Sequence, residues 1–174
     1  MDSYSALIID KTELMTLDTI PVTPQNESQI AFARHLTSYP EDYRCVFLHL
    51  PADQRFHLMH AISNQWGKEN RSFAVINVTG FTDELIAAIR HGEGCSYASY
   101  YVDPDILIVD DLQLFAGKET TQEAFYAYVL KPRIESGRLT VLLSEYSHKD
   151  LSGLLRDDLH NFLRIGLLEF GTKT

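Results

Sequence analysis

Short apolar runs recur along the chain, and stretches with helical spacing lie between them. Five of the runs are typical of β-strands: residues 45–50, 73–78, 106–111, 140–145 and 165–170. The first four are nearly continuous rather than alternating, which indicates strands that are covered on both faces. Strands that alternate with helices predict a parallel sheet between two helical layers, so the expected fold class is a three-layer α/β domain.

The segments between the runs have the spacing and the end signals of helices. Apolar residues recur at i, i+4 and i+8 in two of them, at Leu58, Ile62 and Trp66 and at Tyr126, Leu130 and Ile134. Residues 83–91 predict a third helix that ends at Gly92, and residues 24–36 predict a fourth. Pro132 predicts a kink or a break in the segment 121–136, because proline cannot donate the helical hydrogen bond.

The composition is that of one globular domain. Of the 174 residues, 45% are hydrophobic and 11% aromatic, which is enough to bury a core. No apolar run is long enough to span a bilayer, and no basic region precedes the short N-terminal apolar patch, so no signal peptide is expected. Two cysteines, Cys45 and Cys95, make no metal or disulfide framework, and Cys45 is expected to be a buried small hydrophobic residue. We therefore expect a cytoplasmic protein with no membrane partner.

The charge balance disfavours one class of partner. The sequence has 15 basic and 24 acidic residues, a net charge of −9, and no cluster of lysine and arginine. Nonspecific binding to nucleic acid depends mainly on basic side chains that displace counterions from the phosphates. Direct binding of DNA by this chain is therefore not expected.

The stretch from Val46 to Trp66 has the layout of a phosphate-binding loop: an apolar strand, a short polar turn and an amphipathic helix. Such a loop needs glycines so that backbone N–H groups face the phosphates, a lysine for the terminal phosphates and a hydroxyl for Mg²⁺. The turn here, LPADQRF, has none of these residues. The layout is present without the chemistry that holds phosphate.

Two adjacent acids, Asp110 and Asp111, close the third apolar run. Ligands of open α/β sheets bind beyond the carboxyl ends of the strands. In nucleotide hydrolases the first acid there holds Mg²⁺ and the next polarises the attacking water. The alternative is structural: the carboxylates accept N–H groups in the turn before Leu112. The two acids alone do not separate these interpretations.

The longer string ILIVDDLQLFAGKETTQEAFY, residues 106–126, resembles the Walker B region of the bacterial replication initiator DnaA and its relatives, which are AAA+ ATPases. That family has Asp-Asp-x-Gln after the hydrophobic run, followed by Lys-Glu-x-[Ser/Thr]-Gln-Glu. Residues 57–64 resemble the helix after the family's Walker A loop. Residues 140–145 and 148–154 resemble its sensor 1 strand and the loop after it.

The resemblance covers roughly residues 25–170 and implies a fold. The expected architecture is a P-loop NTPase/AAA+-like core with a five-stranded parallel sheet. Its implied organisation is an N-terminal extension at residues 1–24 and a degenerate DnaA-like core domain at residues 25–174. We expect no helical lid and no DNA-binding domain.

The same register places the family's ATPase positions on this sequence. Arg55 falls where the phosphate-loop lysine stands and Phe56 where the metal-binding hydroxyl stands, while all four glycines of the loop are replaced. Asp53 adds a negative charge to the loop. Glu145 falls at the sensor 1 position, where the family has aspartate.

Two further functional positions of the family differ here. The arginine finger, which reaches the ATP of a neighbouring subunit, falls on Phe162, with Arg164 or Arg156 as substitutes if the register slips. The basic residue that the initiator uses on single-stranded DNA becomes Thr120. Because these losses are concerted, the resemblance implies a chain that does not hydrolyse ATP.

The leading hypothesis is a non-catalytic DnaA-like module that acts by protein–protein contact in replication initiation, its regulation or helicase loading. The replication initiator and the replicative helicase are the candidate partners. No catalytic residue, cofactor or metal is expected, and the oligomeric state is expected to be a monomer or a small assembly that is not a ring.

Two alternatives involve a ligand. The first is a nucleotide-binding protein or weak ATPase that holds ATP or ADP with Mg²⁺ through Arg55, Asp110 and Asp111, with Asp110 as the metal ligand. The second is a metal site built from His49, His57 and His60 together with Asp110. The metal site is the weaker one, because His57 and His60 match positions of the family helix that bind no metal.

Overall fold

The structure is a computed structural model that describes residues 15–92, 98–165 and 169–170. At its centre is one parallel sheet in the spatial order β2-β3-β4-β1-β5. The strands are β1 (Cys45–His49), β2 (Phe73–Asn77), β3 (Ile106–Asp110), β4 (Leu139–Ser144) and β5 (Glu169–Phe170). β4 lies between β1 and β3, so Leu142 stands opposite both Phe47 and Val109. The predicted parallel α/β sheet is confirmed.

Helices connect the strands and cover the sheet. The α-helices are α1 (Glu27–Ser38), α2 (Ala52–Lys68), α3 (Val78–His91), α4 (Ser99–Val102), α5 (Glu119–Phe125), α6 (Lys131–Glu135) and α7 (Asp157–Ile165). Short 3-10 turns occur at Pro40–Asp42 and Leu112–Phe115, and a π-helical segment, Tyr126–Leu130, joins α5 to α6. None of these described helices combines the length and the apolarity that crossing a membrane requires.

The prediction of a fifth strand at residues 165–170 is correct only in part. Four strands have five or six residues, whereas β5 has two and pairs with β1 at Phe47 and Leu48. The start of the predicted strand, residue 165, is instead the last residue of α7. Leu159 and Leu163 of this helix are fully buried at a spacing of four residues, so α7 has an apolar face, and residues 166–168 of the predicted strand lie outside the described residues.

The prediction that the first four strands are covered on both faces is wrong for β2. Residues of β2 alternate between exposed and buried because this strand lies at the edge of the sheet. Ala74 and Ile76 face the core, whereas Phe73 and Val75 are 36% and 39% exposed. β1, β3 and β4 are buried as predicted.

α3 begins five residues earlier than the sequence predicted. The side chain of Asn77 accepts a hydrogen bond from the N–H of Gly80 at 2.8 Å, which caps the helix at Val78 rather than at residue 83. The predicted end is confirmed, because Gly92 adopts the left-handed conformation, with φ of 70°.

The predicted break near Pro132 is present as the π-helical segment. Pro132 lies at the start of α6 and, having no N–H, cannot continue the α-helical hydrogen bonding of α5. A π turn resets the hydrogen bonds at this point. Val129 and Leu130 within the segment are fully buried, so the irregular backbone keeps its apolar side on the sheet.

Two apolar clusters lie on opposite faces of the sheet. Phe47 belongs to one cluster and its neighbour Leu48 to the other, as the alternation of side chains along a strand requires. The cluster with Leu48 includes Trp66 of α2, and the cluster with Phe47 includes Phe81 of α3 and Leu130 of the π-helical segment. The predicted three-layer arrangement is confirmed.

The described part of the N-terminal region contacts the core domain. Ile20 is 3% exposed and belongs to the cluster that contains Leu48. The hydroxyl of Thr19 lies 2.9 Å from Nε2 of His57, and Nδ2 of Asn64 donates to a backbone oxygen of this region. The boundary at residue 24 stays a prediction.

One arginine is buried where α6 meets the start of β4. Arg133 is fully buried. Its guanidinium donates hydrogen bonds of 2.5 to 3.2 Å to six oxygens, the carbonyl oxygens of Tyr101, Val102, Pro104, Asp105 and Leu139 and the hydroxyl of Thr140. Burial lowers the pKa of Arg133 to about 10, so the side chain is charged at neutral pH. Arg133 thereby links α6 to the end of α4, to the loop that follows α4, and to the start of β4.

The expectation that Cys45 is a buried hydrophobic residue is confirmed. It is 5% exposed, and burial raises the pKa of its thiol to about 12. Because the thiolate is the reactive form, we expect iodoacetamide to leave Cys45 unmodified in the folded protein and to label it fully in urea. Peptide mapping by mass spectrometry measures this, and equal labelling in both conditions would contradict the burial.

Candidate functional site

The turn after β1 lacks the backbone groups of a phosphate loop. Leu50 and Pro51 separate β1 from α2. The N–H of Leu50 donates to the carbonyl oxygen of Ser144 at 3.0 Å, and Pro51 has no N–H. α2 then begins at Ala52, with the carboxylate of Asp53 in its first turn. In this turn, the N–H of Leu50 is therefore already hydrogen-bonded, and Pro51 has none. The N–H groups at the start of α2 lie beside the negative charge of Asp53, which disfavours a phosphate.

Arg55, near the start of α2, points into the carboxyl edge of the sheet. Its side chain is buried, with Nε 2.8 Å from Oδ1 of Asp110 and Nη2 2.5 Å from Oδ1 of Asp111. Nη1 lies 3.8 Å from Oε2 of Glu145. The four residues that the sequence singled out thus lie together, because Asp110 and Glu145 stand at the carboxyl ends of the neighbouring strands β3 and β4. We call them the Arg55 cluster.

The two acids also organise the turn after β3. Asp111 has a left-handed backbone, with φ of 58°, and its N–H donates to Oδ1 of Asp110 at 2.8 Å. Nε2 of Gln113 donates to Oδ1 of Asp111 at 2.8 Å. In both contacts an aspartate carboxylate accepts an N–H group within the turn, as the structural interpretation of the two acids predicts.

Two buried polar residues complete the cluster, and sequence reasoning gave neither of them a role. Oγ of Ser144 donates to Oε1 of Gln113 at 2.9 Å and accepts the N–H of Tyr146 at 3.0 Å. The signal for Gln113 was its place in the Asp-Asp-x-Gln string. The signal for Ser144 was a hydroxyl at the end of an otherwise apolar run. A hydrogen-bonded path therefore runs from Arg55 to the residue after Glu145.

The fold family implies a nucleotide with Mg²⁺ at this edge, and the residues present do not fit that complex. The guanidinium of Arg55 binds the carboxylates that would hold the metal. Phe56, which is 45% exposed, stands where a metal-binding hydroxyl is needed. Three carboxylates against one guanidinium leave the cluster with a net negative charge, which repels a polyphosphate.

The histidines do not form the metal site that was the weaker alternative. His49 Nε2 lies 3.0 Å from the backbone oxygen of Glu145, His57 bonds Thr19, and the ring of His60 packs on Phe56 with centroids 4.5 Å apart. Burial lowers the pKa of His60, with a smaller contribution from His57. Across the described ranges, no three His, Cys, Asp or Glu side chains are arranged so that they could hold a metal ion.

The residues considered for an arginine finger lie on or beside α7. Phe162 packs against Tyr126, with ring centroids 5.9 Å apart. Arg156 forms ion pairs with Glu123 at 3.2 Å and Asp158 at 3.1 Å, and the hydrogen bond to Asp158 raises the pKa of Arg156. The side chain of Arg164 lies outside the described residues. Phe162 and Arg156 are therefore engaged in contacts within the chain.

Solved structures of replication proteins have the same fold. Domain III of DnaA from Thermotoga maritima superposes with a TM-score of 0.80 and 23% identity over 89% of this chain and 65% of that chain. DnaA bound to AMPPCP and single-stranded DNA gives 0.81 and 20% over 90% and 49%. The DnaC helicase loader gives 0.77 and 16% over 94% and 99%. These likenesses establish the fold.

Sequence comparison identifies the family. The chain is 31% identical over 171 residues to the chromosomal replication initiator protein DnaA of Gluconobacter oxydans, covering 96% of this chain and 35% of that protein. It is 30% identical over 146 residues to DnaA 2 of Chlamydia caviae, covering 80% and 32%. The chain thus spans about a third of the length of these curated relatives. The family model of the bacterial DnaA ATPase domain matches residues 12–169. The chain therefore belongs to the bacterial DnaA ATPase-domain family.

Proposed function

We propose that this protein is a non-catalytic member of the DnaA ATPase-domain family that acts by protein–protein contact in the cytoplasm. We propose that it acts in the initiation of DNA replication, in the regulation of initiation, or in helicase loading. The observation that carries the proposal is the contact of buried Arg55 with Asp110 and Asp111. The guanidinium takes the place at these acids that a metal ion needs.

The comparisons support the proposed process. The curated relatives are chromosomal replication initiators, and one solved neighbour of nearly the same length is a helicase loader. Contact with a protein, rather than with DNA, is supported by the net charge of −9. The candidate partners are the replication initiator and the replicative helicase of the same bacterium.

We expect Mg·ATP and Mg·ADP at millimolar concentration to leave the melting temperature of the protein unchanged. A ligand that binds the folded state must raise that temperature, and in the proposal the carboxylates that would hold the metal are already bound by Arg55. Differential scanning fluorimetry measures this. The replication initiator of the same bacterium is the positive control.

The second candidate function is weak nucleotide binding or hydrolysis through Arg55, Asp110, Asp111 and Glu145. The convergence of these four side chains at the carboxyl edge of the sheet favours it over other enzyme classes. A thermal shift in the wild type that is lost in Asp110→Asn would establish this candidate and contradict the non-catalytic proposal.

The partner assignment is tested with purified proteins. The full chain is immobilised, and the initiator and the helicase are passed over it separately in the absence of nucleotide. Binding of one of them supports the proposed function, and binding of neither contradicts it. Sedimentation velocity of the chain alone is expected to give a monomer or a small assembly that is not a ring.

A further inference from the structure

We propose that the carboxyl edge of the sheet is a docking surface for a basic segment of the partner protein, an inference that rests on the proposed function. Three exposed apolar side chains lie there: Phe56, Leu114 and Tyr146 are 45%, 42% and 41% exposed. They follow β1, β3 and β4, which are neighbours in the sheet. Together with Glu145 we call these three residues the docking edge.

The docking edge adjoins the Arg55 cluster and shares Glu145 with it. Phe56 follows Arg55 in α2, and Tyr146 directly follows Glu145. The N–H of Leu114 donates to the carbonyl oxygen of Asp111 at 2.8 Å. Apolar side chains therefore stand around the site where the fold family places a nucleotide, and large exposed apolar groups in such an arrangement are typical of protein interfaces.

A hydrogen-bonded path from Arg55 connects the segments that carry the docking edge. It runs from the guanidinium through Asp111, Gln113 and the hydroxyl of Ser144 to the N–H of Tyr146. The path links α2, the turn after β3 and the end of β4. A surface that is ordered before binding loses little conformational freedom when the partner docks.

The charge of the edge determines the chemistry of the partner. The side chain of Glu145 is 45% exposed, and its ion pair with Arg55, at 3.8 Å, is longer than a hydrogen bond. Nη1 of Arg55, although buried, makes no hydrogen bond to any described residue. The Glu145 carboxylate can therefore accept a donor from outside. Because the cluster carries a net negative charge and Asp53 adds another, that donor is an arginine or lysine beside apolar residues.

The chain offers matched control residues. Ile89 and Tyr100 are more exposed than any apolar residue of the docking edge, at 62% and 66%. They belong to α3 and α4, which contribute no residue to the Arg55 cluster. Serine at these positions removes as much exposed apolar surface without touching the docking edge.

The test measures the affinity of the 174-residue chain for the purified initiator and the purified helicase by biolayer interferometry. Phe56→Ser and Tyr146→Ser are each expected to weaken binding by at least about tenfold, the effect of losing a central interface residue. Glu145→Lys is expected to weaken it more than Glu145→Gln, and higher salt is expected to weaken binding of the wild type. Ile89→Ser and Tyr100→Ser are expected to stay within about twofold of the wild type. Circular dichroism checks that each variant is folded, and Leu114→Ser replaces any variant that is not.

The outcomes separate the two proposals. If the wild type binds neither protein, the proposed function is wrong, and the proposal of a docking surface, which rests on it, is wrong as well. If the wild type binds and only the control substitutions weaken binding, the docking edge is wrong and the proposed function stands. Binding of a single-stranded oligonucleotide that is lost in Tyr146→Ser would assign the edge to nucleic acid and also overturn the docking proposal.

Discussion

Replacement of Arg133 by methionine is expected to lower the free energy of unfolding by about 4 kcal/mol or more, from the loss of several buried hydrogen bonds at once. Methionine fills much of the volume but has no donor. It leaves five carbonyl oxygens and one hydroxyl without the guanidinium that now binds them, and three of these six hydrogen bonds, to Tyr101, Leu139 and Thr140, are buried. Urea unfolding followed by circular dichroism measures the change.

Lys131→Met is the matched control for Arg133→Met, because it removes a cation from the same helix at an exposed position. The Lys131 ammonium lies 4.0 Å from Glu135, with side chains 59% and 66% exposed. Its loss is expected to change stability by less than about 0.5 kcal/mol. Equal effects of the two substitutions would show that the buried hydrogen bonds of Arg133 contribute nothing to stability.

Replacement of Arg55 by methionine is expected to destabilise the fold by about 3 kcal/mol, at the lower end of the range for removing one partner of a buried ion pair. The lower end applies because the Asp110 and Asp111 side chains are 15% and 32% exposed, so water solvates part of their charge. The substitution leaves two adjacent carboxylates without their cation. The same unfolding measurement reports it.

A double-mutant cycle attributes this loss to the ion pairs. Arg55→Met combined with Asp111→Asn is expected to recover part of the stability, because only one of the two adjacent aspartates is then charged. Arg34→Met is the control: its pair with Asp18, at 3.0 Å, has side chains 48% and 88% exposed, so the loss is expected to be under about 1 kcal/mol. Strictly additive effects of Arg55→Met and Asp111→Asn would contradict the coupling between Arg55 and Asp111.

The sheet and most helices could be predicted because their signals are local. Continuous apolar runs marked β1, β3 and β4, and four-residue spacing marked α2. The wrong predictions concern the surroundings of a strand or the residue at which a helix ends. The sequence of β2 does not show that this strand lies at the edge of the sheet, where one of its faces is exposed. The sequence of residues 165–170 does not show where α7 ends. Such boundaries depend on tertiary packing.

The members of the candidate site could be named from sequence, but their contacts could not. Arg55 was placed where a phosphate-binding lysine would stand, yet in the folded chain it binds Asp110, 55 residues away. That pairing depends on how α2 docks on the carboxyl edge of the sheet. The hydrogen bond between Ser144 and Gln113 depends on the pairing of β3 with β4, because the two residues are 31 positions apart in the sequence.

The Arg55 cluster also restricts how this sequence can change over generations. If the proposed function holds, a gain of nucleotide binding has to release Asp110 and Asp111, and a first substitution at Arg55 is expected to weaken the fold before a ligand can bind. New glycines in the turn before α2 would destabilise the start of that helix while the acids were still occupied. Each single step is a loss on its own. Under the proposed function, the stability of the fold itself would therefore oppose a change toward nucleotide binding.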